Sequence, residues 1–269
     1  MRLTASLVLF HSDPALYGVA MDHFLAGTDG ELHVVDNSAA PLAHDLFSHP
    51  RVRYEFNGAN VGFGRAHNRA LARIGDRSDV HLFLNPDVEF GAGVVEFLMR
   101  RMREDADIGA LMPRIEYPDG SLQRVCKLLP TPIDLVFRRF IPIALLRERI
   151  NRRYEMYALS QTDPSDVPTL SGCFLMARTS LLKQVGGFDE RFFMYMEDID
   201  LVRRIGTIAR TIYEPTVVVR HHYAKGSYVD PRLLRHHLRS ACQYFNKWGW
   251  LIDPERSARN RRMLARLRR

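Results

Sequence analysis

With 269 residues, 46% of them hydrophobic and 26% charged, the chain has the make-up of a soluble globular protein and the length to bury a substantial core. Its net charge of +7 is concentrated in two windows: six Arg against Glu148 between Arg138 and Arg153, and seven Arg against Glu255 from there to Arg269, which leaves the remainder mildly acidic. Three dispersed Cys exclude a disulfide framework or a zinc site, and no run approaches the roughly 18 apolar residues of a membrane span, so a cytoplasmic protein is expected.

Leu3 to Phe10 reads as a strand, and Asp13-Pro14 then supplies an N-cap with Pro at the first helical position, opening a helix to about Ala26. A second strand, Glu31 to Val35, runs into Asp36-Asn37-Ser38, and a third, Arg51 to Phe56, into Asn57-Gly58-Ala59-Asn60-Val61-Gly62-Phe63-Gly64. A helix over Arg65 to Ile74 leads to the central apolar run Val80 to Leu84, closed by Asn85-Pro86-Asp87 because Pro86 cannot donate to a ladder. Strands and helices alternating at this spacing predict βαβ units and parallel pairing. Gly91 to Arg103 follows as a surface helix, then a strand from Ile108 to Ile115 and a turn at Tyr117-Pro118-Asp119-Gly120-Ser121.

From Cys126 the pattern weakens. Phe137 to Arg147 sets apolar side chains between Arg clusters, a composition that fits either a segment lying on an anionic membrane surface or a loop leading into a solvated basic helix. Ser160 to Pro168 reads as a polar linker, Thr169 to Arg178 as a buried strand and the residues to Val185 as a short helix. Thr211 to Arg220 is a strand ending in His221-His222-Tyr223, Pro231 to Trp248 an amphipathic helix, and the Arg-rich residues after Asp253 a frayed or surface-bound tail.

The chemistry-bearing residues gather at strand ends. Asp36, Asn60 and Asp87 taken singly are turn or cap residues, but three in register on one sheet edge describe a nucleotide pocket. A carboxylate held there, Asp87, can grip a divalent cation bridging two phosphates. The His pair at 221–222 is either a surface feature or, as a neutral imidazole at the same edge, part of that cation's shell. Gly62 and Gly64 let backbone approach a ligand, yet the spacing is not the Gly-x-Gly-x-x-Gly of a dehydrogenase and follows the third strand. Glu197 and Asp198 fall at the start of a helix whose apolar stripe includes Ile199, Val202 and Ile205. Helix capping accounts for one of these acids; five large apolar residues before them supply the dry wall a catalytic carboxylate uses.

Together Asp36-Asn37-Ser38, Asn60-Val61-Gly62-Phe63-Gly64 with Asn68, Leu84-Asn85-Pro86-Asp87, Gly172 to Met176, Gly187-Phe188-Asp189-Glu190 and Phe193 to Leu201 resemble the family 2 inverting glycosyltransferases, most of all the bacterial rhamnosyltransferases of O-antigen and cell-wall polysaccharide assembly. The resemblance spans roughly Leu3 to Trp250. It implies a GT-A fold: a Rossmann-like, three-layer α/β/α single domain with a mixed central sheet over residues 1–250, nucleotide-binding in 1–115 and acceptor-binding in 116–250, followed by a basic tail at 251–269. It also implies roles. Asp36 would read the base, with Asn37, Asn60, Gly62, Phe63, Asn68 and Asn85 around the nucleotide. Asp87 with His222 would hold Mg²⁺ or Mn²⁺, and Asp198 or Glu197 would be the general base. The metal motif keeps one carboxylate, and the Gln-x-x-Arg-Trp motif of processive synthases is absent, so transfer of one sugar at a time is expected.

The implied reaction moves L-rhamnose from dTDP-L-rhamnose to a lipid-linked saccharide, with a UDP- or GDP-sugar as the alternative donor, at the cytoplasmic face of the inner membrane. The Arg-rich segments would make the peripheral contact. A nucleotidyltransferase would share the fold class but would carry a Gly-rich basic loop where Phe10 to Pro14 offers none. A polyanion-binding module is disfavoured too: neither an aromatic-interleaved basic sheet nor a recognition helix is evident, so no nucleic-acid partner is expected.

Overall fold

The computed structural model describes residues 1–135, 143–222 and 230–268. The first half builds four parallel strands, β1 (Leu3–Leu9), β2 (Glu31–Asp36), β3 (Val52–Phe56) and β4 (Val80–Leu84), joined through the helices α1 (Pro14–Gly27) and α2 (Phe63–Ile74). All five residues of β4 are buried, as an unbroken apolar run requires. α1 starts where Asp13 Oδ1 accepts from the Ala15 N–H and Pro14 opens the first turn. Alternate residues of each strand serve opposite faces: Val8 and Val35 pack with Ala66 and Ala70 of α2, while Leu7, Leu9 and Val34 join the larger core that includes Tyr17, Met21 and Phe24 of α1.

After the short β5 (Val88–Phe90) and α3 (Val94–Glu104) come β6 (Ile108–Glu116), α4 (Pro132–Leu135), α5 (Ala144–Tyr154), β7 (Ser165–Asp166), β8 (Phe174–Arg178), α6 (Thr179–Gln184), α7 (Glu197–Ile205), β9 (Arg210–His221), α8 (Pro231–Trp248) and α9 (Pro254–Arg266). The sheet order is β3-β2-β1-β4-β8-β6-β9-β5, with β7 on β9. Strands β8 and β5 run antiparallel to their neighbours, whereas β6 and β9 are parallel, so the sheet is mixed, as expected of the GT-A fold. Because β8 enters the sheet where β4 leaves it, the Asn85 N–H donates to the Cys173 carbonyl at 2.9 Å. The chain from Gly172 is thereby held at the same edge as Asp87.

Two readings change. The polar stretch 160–168 contains β7, and the expected frayed tail is the helix α9, capped by Asp253 and carrying Pro254 at its start. Its inward face is Arg256, Asn260 and Met263, spaced four and three apart. The Asn260 side chain exchanges hydrogen bonds with the backbone N–H and carbonyl of Leu129. Beneath it the buried guanidinium of Arg203 forms a bidentate pair with Asp253, at 2.8 and 2.7 Å, and lies 3.9 Å from the Trp248 ring centroid. Residues 136–142 of the basic apolar segment lie outside the described residues.

Candidate active site

The carboxyl edges of β1, β2 and β4, the start of β8 and the first turn of α7 enclose a cavity of about 1060 Å³, to which Asn37, Asn60, Phe63, Asn85, Asp87, Glu197 and Asp198 all contribute. Asn37 is buried and ties this rim together: its amide donates to the Gly62 carbonyl at 3.3 Å and its oxygen accepts from Asn57 at 2.7 Å. Gly62 sits at φ 92°, ψ 163°, a conformation essentially reserved for glycine, and a Cβ there would lie 2.6 Å from the Phe193 carbonyl oxygen. The Phe63 N–H donates to that same carbonyl at 3.0 Å. This close approach joins the start of α2 to the segment that precedes the two acids.

That segment is strained. Tyr195 and Met196 both take left-handed backbone, at φ 68° and 71°, which costs non-glycine residues roughly 1–3 kcal/mol each. The turn aims the first residues of α7 at the cavity. Asp198 Oδ2 accepts from the Gly172 N–H at 3.0 Å and Oδ1 from the Ile199 N–H at 2.8 Å. Burial raises its pKa, and these two N–H groups and the charge of Lys127 oppose the rise. Glu197 is pushed up to about 8, first by burial and then by the charge of Asp198, and its Oε2 is buried with no hydrogen-bond partner.

Asp87 is a third carboxylate lining the cavity. Its Oδ1 lies 3.3 Å from Nε2 of His221 and accepts no well-formed hydrogen bond. Burial opposes ionisation of Asp87, but the contact with His221 holds its carboxyl below the ordinary range. Burial favours the neutral imidazole of His221, yet Cys173 and Asp87 beside it raise that ring to about 10. Gln123 fixes the other ring nitrogen, Nδ1, at 3.0 Å from its Oε1. Among the described residues no group of three or more His, Cys, Asp or Glu side chains is arranged to hold a metal ion.

Four expected site residues do not line the cavity. Asp36 is fully buried, and its oxygens accept from the Ser38 and Leu42 N–H groups and from Tyr54 Oη at 2.8, 2.9 and 2.7 Å, so it shapes the loop after β2. Gly62 acts through backbone, as above. Asn68 brackets Phe188, accepting from its N–H at 2.8 Å and donating to its carbonyl at 2.9 Å. His222 pairs with Glu89 at 2.7 Å; the imidazole beside Asp87 belongs to His221. The reason is the two-residue period of a strand: successive side chains of β9 face opposite ways, and His221 pairs in register with Val88, next to Asp87. The two-residue alternation of residues 217–221, after the irregularity in the middle of β9, is the signal in the sequence that separates the two histidines. Arg124 and Lys127, which also line the cavity, gave no signal because they stand in a stretch without periodicity.

The family model described as glycosyl transferase family 2 matches residues 27–186. An N-acetylglucosaminyl-diphospho-decaprenol L-rhamnosyltransferase of Mycobacterium tuberculosis is 36% identical over 227 residues, covering 77% of this chain and 72% of that protein. Rhamnosyltransferase WbbL of Escherichia coli K12 is 26% identical over 228 residues, 78% of this chain and 80% of the relative. Two solved structures share the fold. GalNAc-T7 with UDP, GalNAc and Mn²⁺ has a TM-score of 0.59 at 13% identity, over 82% of this chain and 44% of that one. The mannosyltransferase PcManGT of Pyrobaculum calidifontis, in complex with GDP-Man and Mn²⁺, has a TM-score of 0.55 at 18% identity, over 90% and 64%. A motif set, a GT-A architecture and a family match across most of the chain agree, and the protein is a glycosyltransferase belonging to family 2.

Proposed function

We propose that this enzyme transfers a single L-rhamnose, with inversion, from dTDP-L-rhamnose to a lipid-linked saccharide during assembly of a bacterial surface polysaccharide. The observation that carries the reading is that Asp87, from the first half, and Asp198, from the second, line one cavity of about 1060 Å³, room for a nucleotide sugar and part of an acceptor. The choice of L-rhamnose as the sugar transferred is supported by the 36% identical mycobacterial relative, an L-rhamnosyltransferase. On this reading residues 1–115 hold the nucleotide, with Asn37, Asn60 and Phe63 at its rim, and residues 116–250 hold the acceptor.

An acceptor hydroxyl is a weak nucleophile. Asp198, its two oxygens oriented by the Gly172 and Ile199 N–H groups, takes the hydroxyl proton as attack begins. Glu197, protonated near neutrality and aimed into the same wall, keeps a second negative charge away from that base. The apolar residues before α7 exclude water. Asp87 offers an oxygen donor that suits Mg²⁺ or Mn²⁺, and its under-bonded Oδ1 fits such a role; His221, whose raised pKa favours the protonated ring, would have to release its Nε2 proton to join it. Bound there, the ion would supply charge neutralisation to the leaving group.

We further propose a peripheral contact with the cytoplasmic face of the inner membrane. No helix among the described residues is long and apolar enough to cross a membrane. Leu145 on the basic α5 is 84% exposed, and Leu251 and Ile252 at the α8–α9 turn are 87% and 85% exposed. The carbonyls of Gly249, Trp250 and Leu251 in that turn accept from the Arg256 guanidinium, so their polarity is met internally. The experiment for the donor is a thermal-shift screen of dTDP-, UDP- and GDP-sugars with and without Mn²⁺. A rise confined to dTDP-L-rhamnose and enlarged by Mn²⁺ is expected; selective stabilisation by a UDP- or GDP-sugar would reassign the donor.

A further inference from the structure

Gln123 is buried at the wall of the cavity and commits both ends of its carboxamide to one residue. Its Nε2 donates to the His221 carbonyl at 2.6 Å, and its Oε1 lies 3.0 Å from the ring Nδ1 of the same histidine. A backbone carbonyl only accepts, so the amide nitrogen must face it and the amide oxygen is turned to Nδ1. Nδ1 therefore carries a proton in the neutral and in the charged ring alike, because two acceptors make no hydrogen bond. Nε2 is then the ring nitrogen turned to Asn85 and Asp87, 3.4 Å from Asn85 Nδ2 and 3.3 Å from Asp87 Oδ1. The fold brings Gln123 there by a reversal of the chain after β6. The Tyr117 N–H donates to the Ser121 carbonyl at 2.8 Å, the Gly120 N–H to the Tyr117 carbonyl at 2.9 Å, and Gly120 takes φ 81°. Glu116 bridges Leu122, and the Gln123 N–H returns to the Ile115 carbonyl at 2.9 Å. β6 also pairs with β9, Glu116 opposite Arg220, so the returning segment meets the end of β9.

We propose that Gln123 is a positioning residue for the cation end of the site: by holding the Nδ1–H of His221 it presents Nε2, beside Asp87, as the ring atom that meets a divalent ion. The inference rests on the cation role proposed for Asp87 and adds the residue that prepares the imidazole for it. Both ring nitrogens face oxygen acceptors, and a neutral imidazole has one proton to give. With the Nδ1 proton held by Gln123, a cation between Nε2 and Asp87 completes the arrangement. Without an acceptor on Nδ1, the Asp87 carboxylate would draw the ring's proton to Nε2 and close that atom to a metal ion. The partner of the neighbouring imidazole, His222, is the Glu89 carboxylate. An amide in that place on His221 accepts the ring proton without adding a negative charge beside Asp87.

The test uses the full-length protein labelled with ¹⁵N-histidine, with dTDP and Mg²⁺ for NMR and with dTDP and Mn²⁺ for binding by electron paramagnetic resonance; His221→Asn assigns the ring signals. The wild type should show a one-bond ¹H–¹⁵N signal from Nδ1–H of His221 with and without Mg²⁺. In Gln123→Met, of similar volume, that signal should move upfield or vanish through exchange, and Mn²⁺ affinity should fall about 10- to 100-fold. Gln123→Glu, which keeps an oxygen against Nδ1, should retain the signal. A wild type lacking the Nδ1–H signal in either state, a Gln123→Met protein with unchanged signal and Mn²⁺ affinity, or its loss in Gln123→Glu would overturn the positioning role. If Gln123→Met does not fold, the spectra of the wild type and Gln123→Glu decide by the same criteria. If the wild type binds no Mn²⁺ in the presence of dTDP, the cation reading of Asp87 fails separately. The ring spectra then decide the role of Gln123: an Nδ1–H signal present in the wild type and altered in Gln123→Met sustains it, and a signal absent from the wild type or equal in both overturns it.

Discussion

Glu197 and Asp198 are adjacent in sequence but differ in what their oxygens touch. Asp198 accepts two backbone N–H groups, which favour its charged form and fix its direction, whereas Glu197 Oε2 has no partner. Asp198→Asn is expected to lower transfer by about 10²- to 10⁴-fold while a donor melting shift persists, and Glu197→Gln to lower it less. Comparable losses in the two variants would leave the base unassigned between them. Glu197 also makes a stability prediction. Its folded value of about 8 lies above the ordinary 4.5, so the folded state holds the proton more tightly. That stabilisation is complete below the ordinary value and is lost as pH rises through the folded one. The melting temperature of Glu197→Gln relative to wild type should therefore climb between pH 5 and pH 9; a constant difference would contradict the raised pKa.

At the scale of elements, the site depends on two junctions. The first is Gly62 against Phe193, where any Cβ meets a carbonyl oxygen. Gly62→Ala should cost about 1–3 kcal/mol in urea unfolding and weaken donor binding, because it parts α2 from the turn before α7. The second is Arg203 of α7, whose guanidinium is buried with Asp253 at the α9 cap. Asp253→Ala removes the bidentate partner and leaves the buried guanidinium with the Glu255 carboxylate, which should cost about 3 kcal/mol, whereas Arg203→Met with Asp253→Asn should cost less. Equal losses would mean that packing, not the under-compensated charge, dominates. The strand and helix periods made β1 to β4, α1, α2 and α8 legible from sequence. α9 was not, because its inward face is made of Arg256 and Asn260 besides Met263, and only the tertiary partners at Leu129 and Pro130 explain why polar side chains point inward there.

Across the whole molecule, the first half was readable because each parallel strand ends in a polar cluster at one edge. The second half was less so: β8 runs against its neighbours and inserts between β4 and β6, and no local pattern states where a strand will insert. The gathering of Asp87 with Glu197 and Asp198 followed from the motifs, while the choice of His221 over His222 required the register of β9 on β5. The basic α5 and α9, with Leu251 and Ile252 exposed between α8 and α9, should bind anionic vesicles in a salt-sensitive way. Leu251→Ser with Ile252→Ser should weaken that binding several-fold in sedimentation; binding indifferent to both salt and these changes would remove the membrane contact.

The proposed reaction is a direct, inverting displacement driven by Asp198 in a cavity shared with Asp87. Its most direct measurement is the anomeric configuration, by NMR, of the product formed from dTDP-L-rhamnose and a glycosyl-diphospho-lipid, run beside the Asp198→Asn variant. One product of inverted configuration from the wild type, and almost none from the variant, is the expected result. A product of retained configuration, or undiminished synthesis by the variant, would contradict it.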